Sequence, residues 1–167
     1  MTDSLHDGTR VRIRPIRSAD RRLLAEGMER LSDESRRLRF LTAKPRLSSR
    51  ELDYLTEVDQ VDHIALVAVP AEAPERIVGV ARSVRLDEDP ELAEFAIVVG
   101  DHLQGRGLGR LLAERLVDAA QAQGIRRFTA IVLPENTRAI GLVRSIARRL
   151  TWVGDGAARE YTLDIAA

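Results

Sequence analysis

The sequence predicts an α/β (α+β) fold: one mixed, mostly antiparallel sheet of six to seven strands with four to five flanking helices. Two observations carry this. Three apolar runs, 63–69, 76–84 and 91–99, are separated by segments as short as PAEAPE and LDEDP, which suits neighbouring antiparallel strands. On either side of that meander lie segments whose leucines recur at helical spacing.

Taken in order, RVRIRPI (10–16) alternates polar and apolar residues, with Val11, Ile13 and Pro15 on one side of a first strand. Ser18, Ala19 and Asp20 open a helix to about Leu31, in which Leu23, Leu24, Met28 and Leu31 share a face. Ser32 is placed to cap a second helix, DESRRLRFL. Ser48 and Glu51 have the S-x-x-E spacing of a capping box, ahead of Leu52 and Leu55. After the meander, Leu111, Leu112, Leu116, Val117 and Ala120 form the apolar stripe of a helix from Leu108 to about Gly124. A strand at 126–133, a helix at 135–150, and final strands in TWV and REYTLDI complete the chain. At 167 residues it is read as a single domain, 1–167, with 1–9 as a flexible tail.

Composition removes several functions. There is no cysteine, so no disulfide, thiolate metal site or covalent thiol mechanism exists. His6, His63 and His102 lack ligand spacing, and no metal is expected. A net charge of zero with 4% aromatics argues against nucleic acid as the main partner. IALVAV is far shorter than the roughly 18 residues of a membrane span, and the start has no apolar signal region, so the expectation is a cytoplasmic protein without membrane association. Charge is unevenly spread: residues 51–100 carry 3 basic and 12 acidic side chains. That acidic third would attract a cationic acceptor, or it is a solvated face.

The densest signal is VVGDHLQGRGLGR (98–110). A P-loop needs a Lys-Ser or Lys-Thr that this chain lacks, and a dinucleotide fingerprint needs glycine where Arg110 stands. Two readings remain. The glycines allow close packing of helix and strand, or they expose backbone N–H groups at a helix start, where a pyrophosphate is favoured and Arg106 and Arg110 add charge.

Gln104-Gly105-Arg106-Gly107-Leu108-Gly109 resembles the Q/R-x-x-G-x-G/A signature of the GNAT acetyltransferase superfamily. The flanking strand and helix, and Asn136 in LPENTRAIGL, fall where that fold holds acetyl-CoA. ESRRLRF, IVGVAR and AEFAIVV are similar to catalytic domains of bacterial protein lysine acetyltransferases. The resemblance implies a sheet splayed beside Phe95 to Val99. Backbone amides of Ile97, Val98 and Val99 would polarise the acetyl carbonyl, and those of Gln104, Gly105, Arg106, Gly107, Leu108, Gly109 and Arg110 would hold the pyrophosphate. Asn136 would contact the coenzyme arm; a helix cap is the equal alternative.

A lysine ammonium must lose a proton before it attacks, since a free lysine titrates near a pKa of about 10.4. Alternation puts Glu94 on the face of Ala96 and Val98, and the resemblance assigns the catalytic glutamate to that position; Glu91 is the alternative base. Many family members carry a tyrosine acid where this chain has Val143, which leaves Ser145, Tyr161 or water to protonate the thiolate. His63 resembles a subfamily histidine with a substrate-side or a structural role. The expected activity is direct acetyl transfer from acetyl-CoA to a primary amine, a lysine of an acyl-CoA synthetase or another protein. The alternatives are a small-molecule amine acceptor (polyamine, aminoglycoside or amino acid) and a non-catalytic acyl-CoA-binding module. The sequence leaves the oligomeric state open, a homodimer being one option.

Overall fold

The computed structural model describes residues 1–166. Eight strands form one sheet: β1 (Asp3–Ser4), β2 (Arg10–Pro15), β3 (His63–Pro70), β4 (Gly79–Leu86), β5 (Asp89–Val99), β6 (Arg127–Val132), β7 (Arg149–Val153) and β8 (Arg159–Asp164). Their order is β1-β2-β3-β4-β5-β6-β8-β7, antiparallel throughout except that β5 and β6 run parallel. Five helices cover it: α1 (Arg21–Glu29), α2 (Asp33–Phe40), α3 (Ser49–Thr56), α4 (Leu108–Ala122) and α5 (Thr137–Ile146). Among the described residues no helix is long and apolar enough to cross a membrane.

The caps read from the sequence form. Ser32 Oγ accepts the Ser35 N–H at 3.1 Å. Ser48 and Glu51 satisfy each other's backbone donors at 3.2 and 2.8 Å, and Gly124 ends its helix at φ +81°. Alternation along the strands divides the interior in two. Leu108, Leu112 and Leu116 of α4 pack with Leu66, Ala81 and Phe95 on one face. Leu24, Met28 and Leu52 of α1 and α3 pack with Val67, Val69 and Val80 on the other. A side chain at Gly79 would come within 2.8 Å of Leu112, so a glycine there lets α4 lie close on β4.

Two segments differ from the sequence expectation. Residues 1–9 are not a free tail: Asp3 and Ser4 pair with Val11 and Arg10, and Leu5 is buried in the α4-side core. A two-residue strand is too short to show alternation. The last helix ends at Ile146 because residues 149–153 pair with β8 instead; strand pairing outweighs the helical preference of RRL.

Candidate active site

β5 and β6 pair only over Leu92↔Arg127, Ala93↔Phe128 and Glu94↔Thr129. Beyond Glu94 the sheet opens, and residues 95–99 have no β6 neighbour. Gly100 N–H donates to the Val78 carbonyl at 2.8 Å, which fixes the ladder's parity. The backbone groups of Val98 therefore face β4, and those of Ile97 and Val99 face the gap. The Val99 carbonyl confirms that direction, accepting Gln104 Nε2 at 3.1 Å. Of the three amides expected to serve the acetyl group, two are turned toward the opening. Val98 contributes its side chain to the wall instead.

The opening is a cleft of about 620 Å³, bounded by β5, the start of α4, α2 and α5. Gly107, at φ +93°, ends the loop before α4, and the first helical bond is from Leu111 N–H to the Gly107 carbonyl at 3.1 Å. The amides of Leu108, Gly109 and Arg110 are thus the free donors of the helix start. Gly105 and Gly109 line the cleft with Arg110, whose guanidinium also reaches Glu114 at 2.7 Å. These donors, with positive charge beside them, suit a pyrophosphate.

A model of the acetyltransferase (GNAT) family matches residues 26–146. The chain belongs to that family. It is 35% identical over 130 residues to acetyltransferase PA5475 of Pseudomonas aeruginosa, covering 77% of this chain and 69% of that protein. It is 34% identical over 143 residues to acetyltransferase Pat of Mycolicibacterium smegmatis, covering 84% of this chain but only 41% of that protein. The GNAT domain of S. lividans PAT superposes with a TM-score of 0.88 at 31% identity, over 98% of this chain and 96% of that one. This GNAT chain is accordingly an acetyltransferase that uses acetyl-CoA as co-substrate.

Other residues expected at the GNAT site fall out differently. Arg106 turns its side chain away from the cleft to pair with Asp7. His6 N–H donates to the Arg106 carbonyl at 3.2 Å, and a side chain at Gly107 would meet the His6 ring at 2.9 Å. The N-terminal segment therefore braces the glycine loop from behind. Leu108 is fully buried and offers only its backbone. Asn136 caps α5, accepting the Ala139 N–H at 3.1 Å; its NH2 group stays available in the cleft it lines.

Glu94 is exposed at the vertex where the sheet opens, near enough for its charge to act on Arg39 of α2. Glu91 pairs with Arg126 at 3.2 Å, on the paired side of that vertex. Ser145 lines the cleft and donates to the Leu142 carbonyl at 2.7 Å. Val143 and Tyr161 are buried in the core, and the Tyr161 hydroxyl has no partner among the described residues.

His63 is engaged by neighbouring side chains, its ring 5.1 Å from that of Tyr54. Arg82 Nη1 lies 2.9 Å from His63 Nε2, and a guanidinium can only donate, so Nε2 accepts and the neutral ring carries its proton on Nδ1. Burial first, then the Arg82 charge, pushes the imidazole down to about 4.

Sequence reasoning named Gln104 only for its backbone and missed the side-chain bonds that tie the cleft together. Gln104 Nε2 also donates to Ser35 Oγ at 3.1 Å, and Gln104 Oε1 accepts from Arg138 of α5. Asp101 accepts from the Ser32 N–H at 2.9 Å, Ser32 Oγ at 2.7 Å and Ser35 Oγ at 2.8 Å. Burial opposes its charge, but these bonds outweigh that and hold its carboxyl below the usual range. α2 is thereby fastened to the loop that follows β5. Among the described residues, four of the twelve acids of the middle third pair with arginines, Asp62–Arg85 and Asp89–Arg127 at 2.7 Å among them.

Proposed function

We propose that the chain transfers the acetyl group of acetyl-CoA to a protein lysine, by direct attack within a ternary complex. The observation that carries this is the vertex itself. Strand pairing stops at Glu94↔Thr129, so an exposed carboxylate marks the point where β5 leaves its neighbour, three residues before the first of two outward amides in the cleft that the α4 start also lines. The likeness to Pat of M. smegmatis and to the GNAT domain of S. lividans PAT supports a protein lysine as acceptor.

The coenzyme's pyrophosphate lies against the amides of Leu108, Gly109 and Arg110, with Arg110 and Arg138 as countercharges. Its arm runs along the open edge of β5, where Ile97 and Val99 N–H groups polarise the acetyl carbonyl. Asn136 offers its NH2 to the arm. Glu94 takes a proton from the incoming ammonium, directly or through a water, as the amine lone pair attacks the thioester carbon. The tetrahedral adduct collapses, the C–S bond breaks, and the second proton of the adduct nitrogen passes to the thiolate, relayed by water or by the Ser145 hydroxyl. With no cysteine in the chain, no acetyl-cysteine intermediate forms on it.

The test is thiol release from acetyl-CoA against a panel of proteins, including acyl-CoA synthetases, and of small amines, followed by mass spectrometry of modified sites. Thiol release matched by acetyl-lysine in a protein is the expected result. Release with polyamines, aminoglycosides or amino acids alone would contradict the protein acceptor.

A further inference from the structure

A second cavity, of about 280 Å³, lies on the face of β4 and β5 that α1–α3 cover. It adjoins the coenzyme cleft: Arg39, Val98 and Asp101 line both. Its walls include Leu24, Met28, Leu47, Leu55, Val80 and Val98.

The charge inside is one-sided. Arg30, Arg39, Arg76 and Arg82 line the space against one acid, Asp101, whose carboxylate is taken up by Ser32 and Ser35. Arg82 is 5% exposed. Its partners are neutral: the Leu55 carbonyl at 3.2 and 3.3 Å and the His63 ring. Arg39 lies over the Phe40 ring at 4.8 Å, and no ion pair holds it among the described residues. Glu94 is the carboxylate whose charge reaches it. Loss of water first, then the charge of Arg39, pushes Arg82 down to about 9.

Buried Arg82, bonded only to neutral groups, and half-buried Arg39, held by no ion pair among the described residues, set two positive charges on one apolar cavity, a setting that favours an anion. A guanidinium fork matches a carboxylate, and apolar walls match an aliphatic stem behind it. The cavity opens beside Val98, next to the place where the acetyl group sits in the chemistry proposed above.

We propose, resting on that acetyl-transfer chemistry, that this cavity is an acceptor subsite for a carboxylate on an aliphatic stem, held by Arg39 and Arg82. The favoured acceptors are then amines accompanied by an acidic group. That group comes from a glutamate beside the target lysine or from the carboxylate of a free amino acid.

The test has a binding arm independent of turnover. Hexanoate, hexanol and hexylamine are titrated into the full chain and followed by saturation-transfer NMR. Hexanoate binds at least about tenfold more tightly than the other two, and Arg39→Gln removes the difference. The kinetic arm compares kcat/KM for glutamate-flanked and alanine-flanked lysine peptides and for free amino acids. A preference of about tenfold for the acid-bearing acceptor, falling to near one in Arg39→Gln whatever its absolute rate, supports the subsite, and the better class of acceptor names the source. Hexanoate binding no tighter than hexanol overturns the proposal without needing any variant, as does undiminished hexanoate binding to Arg39→Gln. Absence of transfer to every amine contradicts the acetyl-transfer chemistry instead, and the hexanoate comparison still decides the cavity.

Discussion

Gln104 donates to the Val99 carbonyl at 3.1 Å, in the direction a β6 neighbour would occupy if the sheet stayed closed. The same side chain meets Ser35 of α2 and Arg138 of α5, so three walls of the cleft depend on it. Gln104→Ala is expected to raise KM for acetyl-CoA about tenfold, with a smaller change in kcat. Steady-state kinetics at saturating acceptor check this.

Asp20 is 4% exposed and takes both Arg14 donors at 2.7 Å and the Arg17 N–H at 2.8 Å. The Arg14 hydrogen bonds, against an opposing burial effect, hold its carboxyl below the ordinary 3.8. A depressed acid adds stability that is present above its unfolded value and is lost as pH falls through the folded one. Asp20→Ala should cost about 3 kcal/mol at neutral pH, because Arg14 is left without its partner. The gap from the parent should shrink in melts below pH 4 or so.

His63 has the opposite chemistry and the same sign. Its folded value of about 4 lies below the ordinary 6.5, so between those two the unfolded chain binds a proton that the folded chain refuses. Stability therefore falls as pH drops through that window. His63→Asn is expected to flatten that part of the profile, as followed by thermal melts in a pH series.

Asp7 and Arg106 join the N-terminal segment to the glycine loop. The Thr9 backbone N–H, with Arg106 adding to it, holds the Asp7 carboxyl at about 2. Asp7→Ala and Arg106→Ala should each raise KM for acetyl-CoA about threefold, and the double variant should be no worse than either single one. Additive losses would mean that Arg106 acts on the coenzyme separately from Asp7.

Much of this arrangement was legible in the sequence because its signals are local. Ser32, Ser48 and Glu51 announce helix starts within four residues, and the glycines around Gly107 announce a backbone that must expose donors. Side-chain destinations are not local. Arg106 and Arg138 look alike on the page, yet the fold sends the first to Asp7 and brings the second to Gln104. Arg39 and Arg82 lie 43 positions apart in the numbering and meet only because α2 crosses the face of β4 and β5. The acidic third reads as an attractor of a cationic acceptor or as a solvated face, yet the inner cavity on β4 and β5 is lined by four arginines and one acid.

The central claim is that Glu94 deprotonates the acceptor at the vertex of the opened sheet. The pH dependence of kcat/KM for Glu94→Gln, beside the parent chain and with one lysine acceptor, tests it most directly. The account predicts a loss of about a hundredfold or more near neutral pH, narrowing steadily as pH rises toward about 10.4, where the amine loses its proton without help. A variant that stays within about twofold of the parent from neutral to alkaline pH would contradict it, since general-base catalysis contributes far more than that.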